Sequence, residues 1–384
     1  MEVVTINFYN MFYKITLFVS LFILISGIKL KSQSNLYHQP YDDTITYKPG
    51  DLLLDFEINN FFINNEYNQS LTKGYTLPGQ YLKPVLKYYS KNEIVSVEVG
   101  LKVKHFFGQK GPLSVSPTLR LKADISPSTS FIIGSLKGYL DHNMSDVLYR
   151  NEAYYTGKQE RGVQLLHSSK YLTSDLWVNW EDFIEHGDTI PEMFTSGLSA
   201  KAYIIKNKEF ELSIPIQTTI VHVGGEISDF PQNGRSDMNN LFGLEIVKSN
   251  HSKSASIGLF SHFLHYRELK SKSNNFYRNG NGVHSGVFGN YGMHNLNLSF
   301  WRGDKFLSLR GNPLYQSKSD FDDSLLFPIR NMITGTYMLR KELSDNFVIS
   351  LLCGGYYDFN IKNLDYLYSI QLFYAPKLFI KKSY

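Results

Sequence analysis

Serine and histidine side chains lie near each other at several points of the sequence, and such pairs could form the nucleophile and base of an acyl hydrolase. The base must lie within hydrogen-bond reach of the hydroxyl. The candidates are His222, Ser261 with His262 or His265, and His284 with Ser285. Adjacent residues on a strand point to opposite faces, and residues four apart are separated by about 13 Å. We therefore expect no catalytic residue and no enzymatic activity.

Metal or cofactor chemistry has even less support in the sequence. No HxH or HExxH spacing brings histidines together as metal ligands. The pairs Gly224-Gly225 and Gly354-Gly355 are followed by no helix pattern that could supply a phosphate-binding N-terminus. The sequence therefore predicts neither a metal nor a cofactor.

A second set consists of charged side chains at the strand positions that alternate with the apolar ones. We call this set the charged ladder. Its members are Lys83, Lys87, Glu98, Lys102, Lys104, Arg120, Lys122, Lys137 and Glu181. On the inner wall of a pore, this mainly basic set would favour passage of anionic or polar solutes. The alternative is that the charges pair across neighbouring strands and fill the interior.

The elements that position these residues have a repeated pattern of about ten residues with alternating apolar and polar side chains. One example is Val95, Val97, Val99, Leu101 and Val103. Successive side chains on a strand point to opposite faces, so each repeat predicts a strand with one apolar face. Many such strands without intervening helices predict an all-β, antiparallel transmembrane β-barrel.

Connections between the predicted strands alternate between long and tight. Long loops are expected at residues 141–162, 223–240 and 266–292, and a short strand is expected at residues 305–310. Bacterial barrels have long outer loops and short periplasmic turns. The pattern thus predicts about sixteen strands, within a range of twelve to sixteen. Aromatic residues near the strand ends, such as Tyr139, Trp180 and Trp301, are typical of an interfacial girdle.

The N-terminal sequence indicates export. A short apolar run from Ile15 to Ile28 follows Lys14 and fits the h-region of a signal peptide, so we expect residues 1–34 to be a signal. Residues 35–50 would form a short periplasmic segment, and residues 51–384 the barrel. A single cysteine, Cys353, excludes an intramolecular disulfide, and a net charge of +4 in 384 residues does not predict nucleic-acid binding.

Several segments resemble those of an uncharacterised, porin-like family of outer membrane β-barrels of Bacteroidota. They include Gly74-Tyr75-Thr76-Leu77-Pro78-Gly79, Asp175-Leu176-Trp177-Val178-Asn179-Trp180-Glu181, Arg310-Gly311-Asn312-Pro313-Leu314 and Gly355-Tyr356-Tyr357-Asp358. The resemblance covers nearly the whole chain after the signal. It implies an outer membrane location but no particular activity.

Our leading functional prediction is a porin-like channel for passive passage of small polar or anionic solutes. A second hypothesis is a non-conducting barrel that acts as a subunit in uptake, secretion or envelope assembly, with an envelope protein or a second copy as its partner. A third is a barrel enzyme that modifies lipids. All three place the chain in contact with outer membrane lipid.

Overall fold

The computed structural model describes residues 48–383 except residues 68–69, 92–93, 226, 228, 230–233, 253 and 271–275. The predicted signal peptide and most of the predicted periplasmic segment lie outside this part of the chain. No helix within it is long and apolar enough to cross a membrane.

Antiparallel strands form almost all of the structure. Their bounds are β1 Leu52–Glu66, β2 Tyr75–Tyr89, β3 Val95–Phe106, β4 Ser114–Ser126, β5 Thr129–Ser135, β6 Arg161–Ser168, β7 Leu172–Asp182, β8 Glu192–Lys206, β9 Phe210–Gly224, β10 Arg235–Ser249, β11 Ala255–Glu268, β12 Asn279–Tyr291, β13 His294–Asp304, β14 Ile329–Ser344, β15 Phe347–Asp358, β16 Asn363–Tyr374 and β17 Lys377–Lys381. One short helix, α1 (Ala153–Thr156), and two 3-10 turns, Tyr139–His142 and Pro313–Tyr315, lie in the connections.

The sheet closes on itself. Each strand pairs with its sequence neighbours, and β1 pairs on one side with β2 and on the other with both β16 and β17. β16 and β17 are two segments of one final strand, interrupted at Pro376, whose carbonyl still accepts a hydrogen bond from the amide of Phe56. The structure is therefore a closed antiparallel barrel of sixteen strands, which confirms the predicted fold class.

The long and short connections lie at opposite ends of this barrel. The loop end carries the connections from β1 to β2, β3 to β4, β5 to β6, β7 to β8, β9 to β10, β11 to β12, β13 to β14 and β15 to β16. The turn end carries the connections from β2 to β3, β4 to β5, β6 to β7, β8 to β9, β10 to β11, β12 to β13 and β14 to β15. The predicted alternation of loops and tight turns is thus confirmed.

Two predicted elements near the C-terminal third are wrong. The predicted loop 266–292 contains β12, and the predicted strand 305–310 belongs to a loop. The sequence of β12 resembles a loop because it contains four glycines. Gly282 faces Trp301 on β13, where an added Cβ would lie 2.1 Å from the indole. Glycine is required at position 282 because the neighbouring indole occupies the side-chain space.

The outward and inward faces alternate along each strand, as β16 illustrates. Tyr366, Tyr368 and Ile370 are exposed on the outward face, whereas Leu367 and Gln371 are buried on the inward face. This period-two pattern leaves an apolar outer surface suited to lipid.

Apolar side chains fill part of the interior near the loop end, and we call this group the lumen cluster. The wall contributes Trp177, Leu241, Leu264, Trp301, Met332, Leu352, Tyr356 and Leu367, and the loops contribute Val147, Leu148, Phe306, Leu307, Leu314 and Tyr315. The two loops are tied together, since the Arg150 amide donates to the Arg310 carbonyl at 2.8 Å. Loops 136–160 and 305–328 therefore fold into the barrel and connect β7 to the strands opposite.

Candidate functional site

The charged ladder lies along the inward positions of the early strands, and its charges have close partners. Lys87 contacts Asp55 at 2.7 Å and Glu98 at 3.7 Å, and Arg120 contacts the same Glu98 at 2.8 Å. Lys83 contacts Glu57 at 3.2 Å. Cross-strand pairing of this kind is the alternative that the sequence left open.

Two further lysines of the ladder hold the helix α1 against the wall. The ammonium of Lys102 lies 4.7 Å from the centre of the Tyr81 ring and 4.8 Å from that of Tyr154. Lys104 donates a hydrogen bond to the Thr156 carbonyl at 2.8 Å. These cation–π and hydrogen-bond contacts attach loop 136–160 to β2 and β3.

The remaining members are dispersed. Lys122 contacts Asp124 at 2.7 Å, and Glu181 accepts from Arg310 of the inserted loop at 2.5 Å. Lys137 lies just after β5, and burial lowers the pKa of its ammonium. The structure thus brings together Lys83, Lys87, Glu98 and Arg120 but not the whole set. Their role in solute passage stays a prediction.

A buried polar cluster surrounds His142 in loop 136–160. Its Nδ1 lies 2.7 Å from Asp175 Oδ2 and its Nε2 lies 3.2 Å from Glu160 Oε2. Burial lowers the pKa of the imidazole, but attraction to Glu160 and hydrogen bonds to both carboxylates outweigh this effect and raise the pKa to about 9. Tyr149 donates a hydrogen bond to Glu160 and completes the cluster. The imidazole is fully buried, so it holds the loop rather than meeting a substrate.

Three contacts in the described residues join a histidine nitrogen to a serine or threonine hydroxyl near ideal hydrogen-bond distance. They are Thr129 with His167 at 3.0 Å, Ser299 with His284 at 2.9 Å, and Ser236 with His222 at 2.8 Å. The first lies beside the turn end, and the second faces inward beneath Trp301 and Tyr315. Only the contact between Ser236 and His222 lies on the outward face near the loop end.

The register of β9 and β10 produces this outward pair. His222 is directly opposite Ser236, and both lie out of phase with the buried residues Val221 and Asp237. The Ser236 hydroxyl lies 2.8 Å from His222 Nδ1. A serine positioned in this way can transfer its proton to the imidazole as it attacks a carbonyl carbon.

Aromatic side chains extend the same row across two more strands. Trp180 on β7 is opposite Phe194 on β8, and Phe194 is opposite His222 on β9. The Phe194 ring stacks on the imidazole with centroids 4.8 Å apart, and the Trp180 ring lies 5.4 Å from Phe194. This stack fixes the plane of the imidazole. We call Trp180, Phe194, His222 and Ser236 the outer row.

The other serine and histidine candidates have different partners. Ser261 contacts the Ser285 hydroxyl at 2.8 Å, His262 contacts Glu245 at 3.1 Å, and His265 contacts Asn281 at 2.8 Å. The expectation that they form no nucleophile–base pair agrees with this geometry. Within the described ranges, no group of three or more His, Cys, Asp or Glu is arranged to hold a metal ion.

Sequence reasoning named His222 but missed Ser236, because residues 223–240 were assigned to a loop. The strand β10 in fact begins at Arg235. A β-hairpin whose turn is centred near residue 229 places His222 directly opposite Ser236. Recognising such a hairpin in the sequence would have predicted this pair.

Known outer membrane proteins share the fold. OmpTdeltaL8, a loop-deletion mutant of OmpT from Vibrio cholerae, superimposes with a TM-score of 0.52 at 10% identity, over 86% of this chain and 100% of that one. OprD from Pseudomonas aeruginosa gives 0.51 at 9% identity, over 87% and 96%. The protein opdK from the same organism gives 0.52 at 9% identity, over 85% and 99%. The chain is therefore an outer membrane β-barrel, as predicted.

Sequence comparison identifies the family. No curated protein gives a significant match. The model of a family described as "Lipid A 3'-O-deacylase-type" matches residues 44–383, which is nearly the whole barrel. This family is an enzyme family, so our expectation that the chain is not an enzyme is wrong. That expectation arose because Ser261 and His262 lie on opposite faces of a strand and Ser261 and His265 are too far apart along it. Since the match includes every strand of the barrel, the chain belongs to the lipid A 3'-O-deacylase-type family.

Proposed function

We propose that the protein hydrolyses an ester-linked acyl chain of lipid A, with Ser236 as the nucleophile and His222 as the base. The observation that carries this proposal is the 2.8 Å contact between the Ser236 hydroxyl and His222 Nδ1 on the lipid-facing surface. The substrate class comes from the family to which the chain belongs.

The reaction balances with these two residues and water. Ser236 Oγ attacks the ester carbonyl carbon while His222 takes the hydroxyl proton. The imidazolium then returns this proton to the departing sugar oxygen, which leaves the acyl group on Ser236. Water, deprotonated by the same imidazole, releases the fatty acid and restores the serine. The Phe194 ring stacked on the imidazole keeps it in the plane required for both transfers.

The position of the pair suits a lipid substrate. The loop end of an outer membrane barrel faces the cell exterior, where lipid A forms the outer leaflet. Ile220 and Met238 lie on the outward face one step below the pair towards the turn end. Acyl chains that extend along these apolar positions would bring the ester carbonyl beside Ser236. The two other histidine–hydroxyl contacts face the lumen or the turn end and have no such access.

The test is release of fatty acid from purified lipid A in mixed micelles, measured by mass spectrometry. Ser236→Ala and His222→Ala are each expected to lower the rate at least about 100-fold, since a general base contributes that much or more. Ser261→Ala is the matched control, because Ser261 is also outward and hydrogen-bonded, but its hydroxyl contacts the Ser285 hydroxyl and not a histidine. Undiminished hydrolysis by Ser236→Ala, or inactivity of the wild-type protein towards acylated lipid A, would contradict the proposal.

A second candidate function is passage of small polar or anionic solutes. The inward basic residues Lys83, Lys87 and Lys102 favour it, although the first two are paired with carboxylates. The lumen cluster opposes it, because apolar side chains from loops and wall meet within the barrel. A conductance measurement detects solute passage independently of hydrolysis. The same protein could have both activities.

A further inference from the structure

An arginine in the turn-end half of the barrel is buried without a counter-charge. Arg340 points inward from β14 and is only 8% exposed. Among the residues that the structure describes, no carboxylate lies within ion-pair distance of its guanidinium, and the guanidinium donates no hydrogen bond. Arg330 on the same face of β14, in contrast, contacts Asp358 at 2.5 Å. The strand therefore carries one buried arginine with a counter-charge and one without.

The side chains beside Arg340 on the next two strands are polar. Arg340 is directly opposite Ser350 on β15, and Ser350 is directly opposite Gln371 on β16. Directly opposite residues have Cβ atoms about 4.5–5.5 Å apart, so the three side chains are neighbours on the inward face. We call Arg340, Ser350 and Gln371 the inner row. Within the described ranges, the Ser350 hydroxyl also forms no hydrogen bond.

The helix α1 of the inserted loop reaches this row. Tyr155 is completely buried, and its hydroxyl donates to the side-chain oxygen of Gln371 at 2.7 Å. The Gln371 amide nitrogen in turn donates to Ser369 at 3.3 Å. Tyr155 also lies close enough to Arg340 for an electrostatic interaction. The inserted loop thus orients Gln371 and borders the inner row, but it supplies no negative charge to Arg340.

The nearest carboxylate on the same strand leaves the inner row open. Glu342 occupies the next inward position of β14 towards the turn end and is exposed. It interacts with Arg340 only at a distance and forms no ion pair with it. Because Glu342 is exposed and Ser350 is only partly buried, solvent reaches the inward face beside Arg340.

A buried guanidinium without a counter-charge is costly, and an anion bound beside it removes this cost. The planar fork of Arg340 matches the two oxygens of a carboxylate, and the Ser350 hydroxyl can donate a further hydrogen bond to one of them. The inner row therefore has the donors that a carboxylate requires.

Apolar side chains flank the inner row on both sides. They are Met338 and Leu352 towards the loop end and Val348 and Phe373 towards the turn end, and each is at most 9% exposed. A single positive charge between apolar side chains suits a monovalent organic anion. A phosphate dianion would bring a second negative charge without a partner.

We propose that the inner row binds the carboxylate of a small organic anion within the barrel, with Arg340 as the two-pronged donor and Ser350 as a third. This site is separate from the proposed hydrolase, because the inner row faces inward on β14 to β16 whereas Ser236 faces outward on β10. The turn-end half of the barrel thus has a binding function of its own.

The test is a titration of the refolded protein in a non-ionic detergent with sodium propionate, followed by ligand-observed NMR. Propionamide is the neutral probe of the same shape, and inorganic phosphate is the competing anion. We expect saturable binding of propionate and none of propionamide, and Arg340→Gln should weaken propionate binding at least about tenfold. Arg302→Gln is the matched control, because Arg302 is exposed and outward, opposite Val283 and Asn331.

A second variant keeps the test decisive if Arg340→Gln does not fold. Arg340→Lys retains the charge but loses the planar fork, so it should also weaken propionate binding. Propionate binding by a folded Arg340 variant that equals wild-type binding, or no saturable binding by the wild-type protein, would overturn the proposal. Phosphate binding as tight as that of propionate would show a general anion site and would overturn the carboxylate assignment.

Discussion

His142 lies flat against the indole of Trp177, with ring centroids 3.7 Å apart and planes inclined by 10°. The imidazole belongs to loop 136–160, whereas the indole projects inward from β7. Asp175 from the same strand and Glu160 from the loop contact the two ring nitrogens. An imidazolium in this position is stabilised by two carboxylates and by the face of the indole. The contact therefore anchors the inserted loop through a charge.

This anchor predicts a pH dependence. The pKa of His142 in the folded protein is about 9, which is above the value of about 6.5 for an unfolded chain. The stabilisation is thus fully present below pH 6.5 and is lost as the pH rises through about 9. We expect amide exchange in residues 139–149 to accelerate between about pH 7 and about pH 10, beyond its intrinsic pH dependence. His142→Gln should remove this extra acceleration, and an unchanged profile would show that the imidazole is neutral.

The buried ion pair between Arg330 and Asp358 predicts a large effect on stability. Arg330 Nε lies 2.5 Å from Asp358 Oδ2, and both side chains are completely buried. Asp358→Asn should lower the free energy of unfolding by about 3–5 kcal/mol, because it leaves a buried guanidinium without its counter-charge. The measurement is the urea midpoint in detergent. Asp182→Asn is the control, since its pair with the exposed Lys158 should contribute at most about 1 kcal/mol.

Two glycines on β12 provide a matched test of interior packing. A Cβ at Gly282 would lie 2.1 Å from the Trp301 ring, whereas at Gly289 the nearest atom is a carbonyl oxygen at 3.7 Å. Gly282→Ala should destabilise the barrel by about 1–3 kcal/mol, because Trp301 must leave its position. Gly289→Ala should be nearly neutral. Equal thermal unfolding temperatures for both variants would contradict the packing around Trp301.

Conductance in a planar bilayer tests the interior as a passage. Because the lumen cluster joins both inserted loops to the wall, we expect long silent recordings from the refolded wild-type protein. A steady ohmic open state would contradict this expectation and support the porin-like hypothesis. If channels open, Lys87→Gln should reduce selectivity for anions, since Lys87 carries inward positive charge on β2.

The sequence was sufficient for the barrel but not for the site. Strands such as β11 have strong outward alternation at Ile257, Leu259 and Phe263, so period two identified them directly. The pattern is weaker in β12, where the inward position 282 is a glycine because the indole of Trp301 on the next strand occupies the side-chain space. The pairing of Ser236 with His222 depends on a register across a connection rich in Gly, Asp, Pro and Asn. Local patterns contain no information about such a register unless both strand ends are recognised.

The insertion of loops 136–160 and 305–328 could not be foreseen either. The lengths of these loops allow them to fold into the barrel. The charged ladder, in contrast, was interpreted as the lining of an open interior. The decisive contacts are long-range, such as the hydrogen bond of 2.5 Å from the Ser308 hydroxyl to the Val147 carbonyl. Contacts between residues so distant in sequence leave no periodic signal.

The pairing of β1 with β16 and β17 imposes an order on biogenesis. The first strand of the described chain, β1, forms hydrogen bonds with the last segments, β16 and β17. One edge of β1 therefore remains unpaired until residues 363–381 have been synthesised and have reached the barrel. Until then, the backbone groups of β1 are an open template for another chain. A polypeptide cut short before this final strand would therefore expose that template, and we expect it to aggregate or to be degraded before it reaches the membrane.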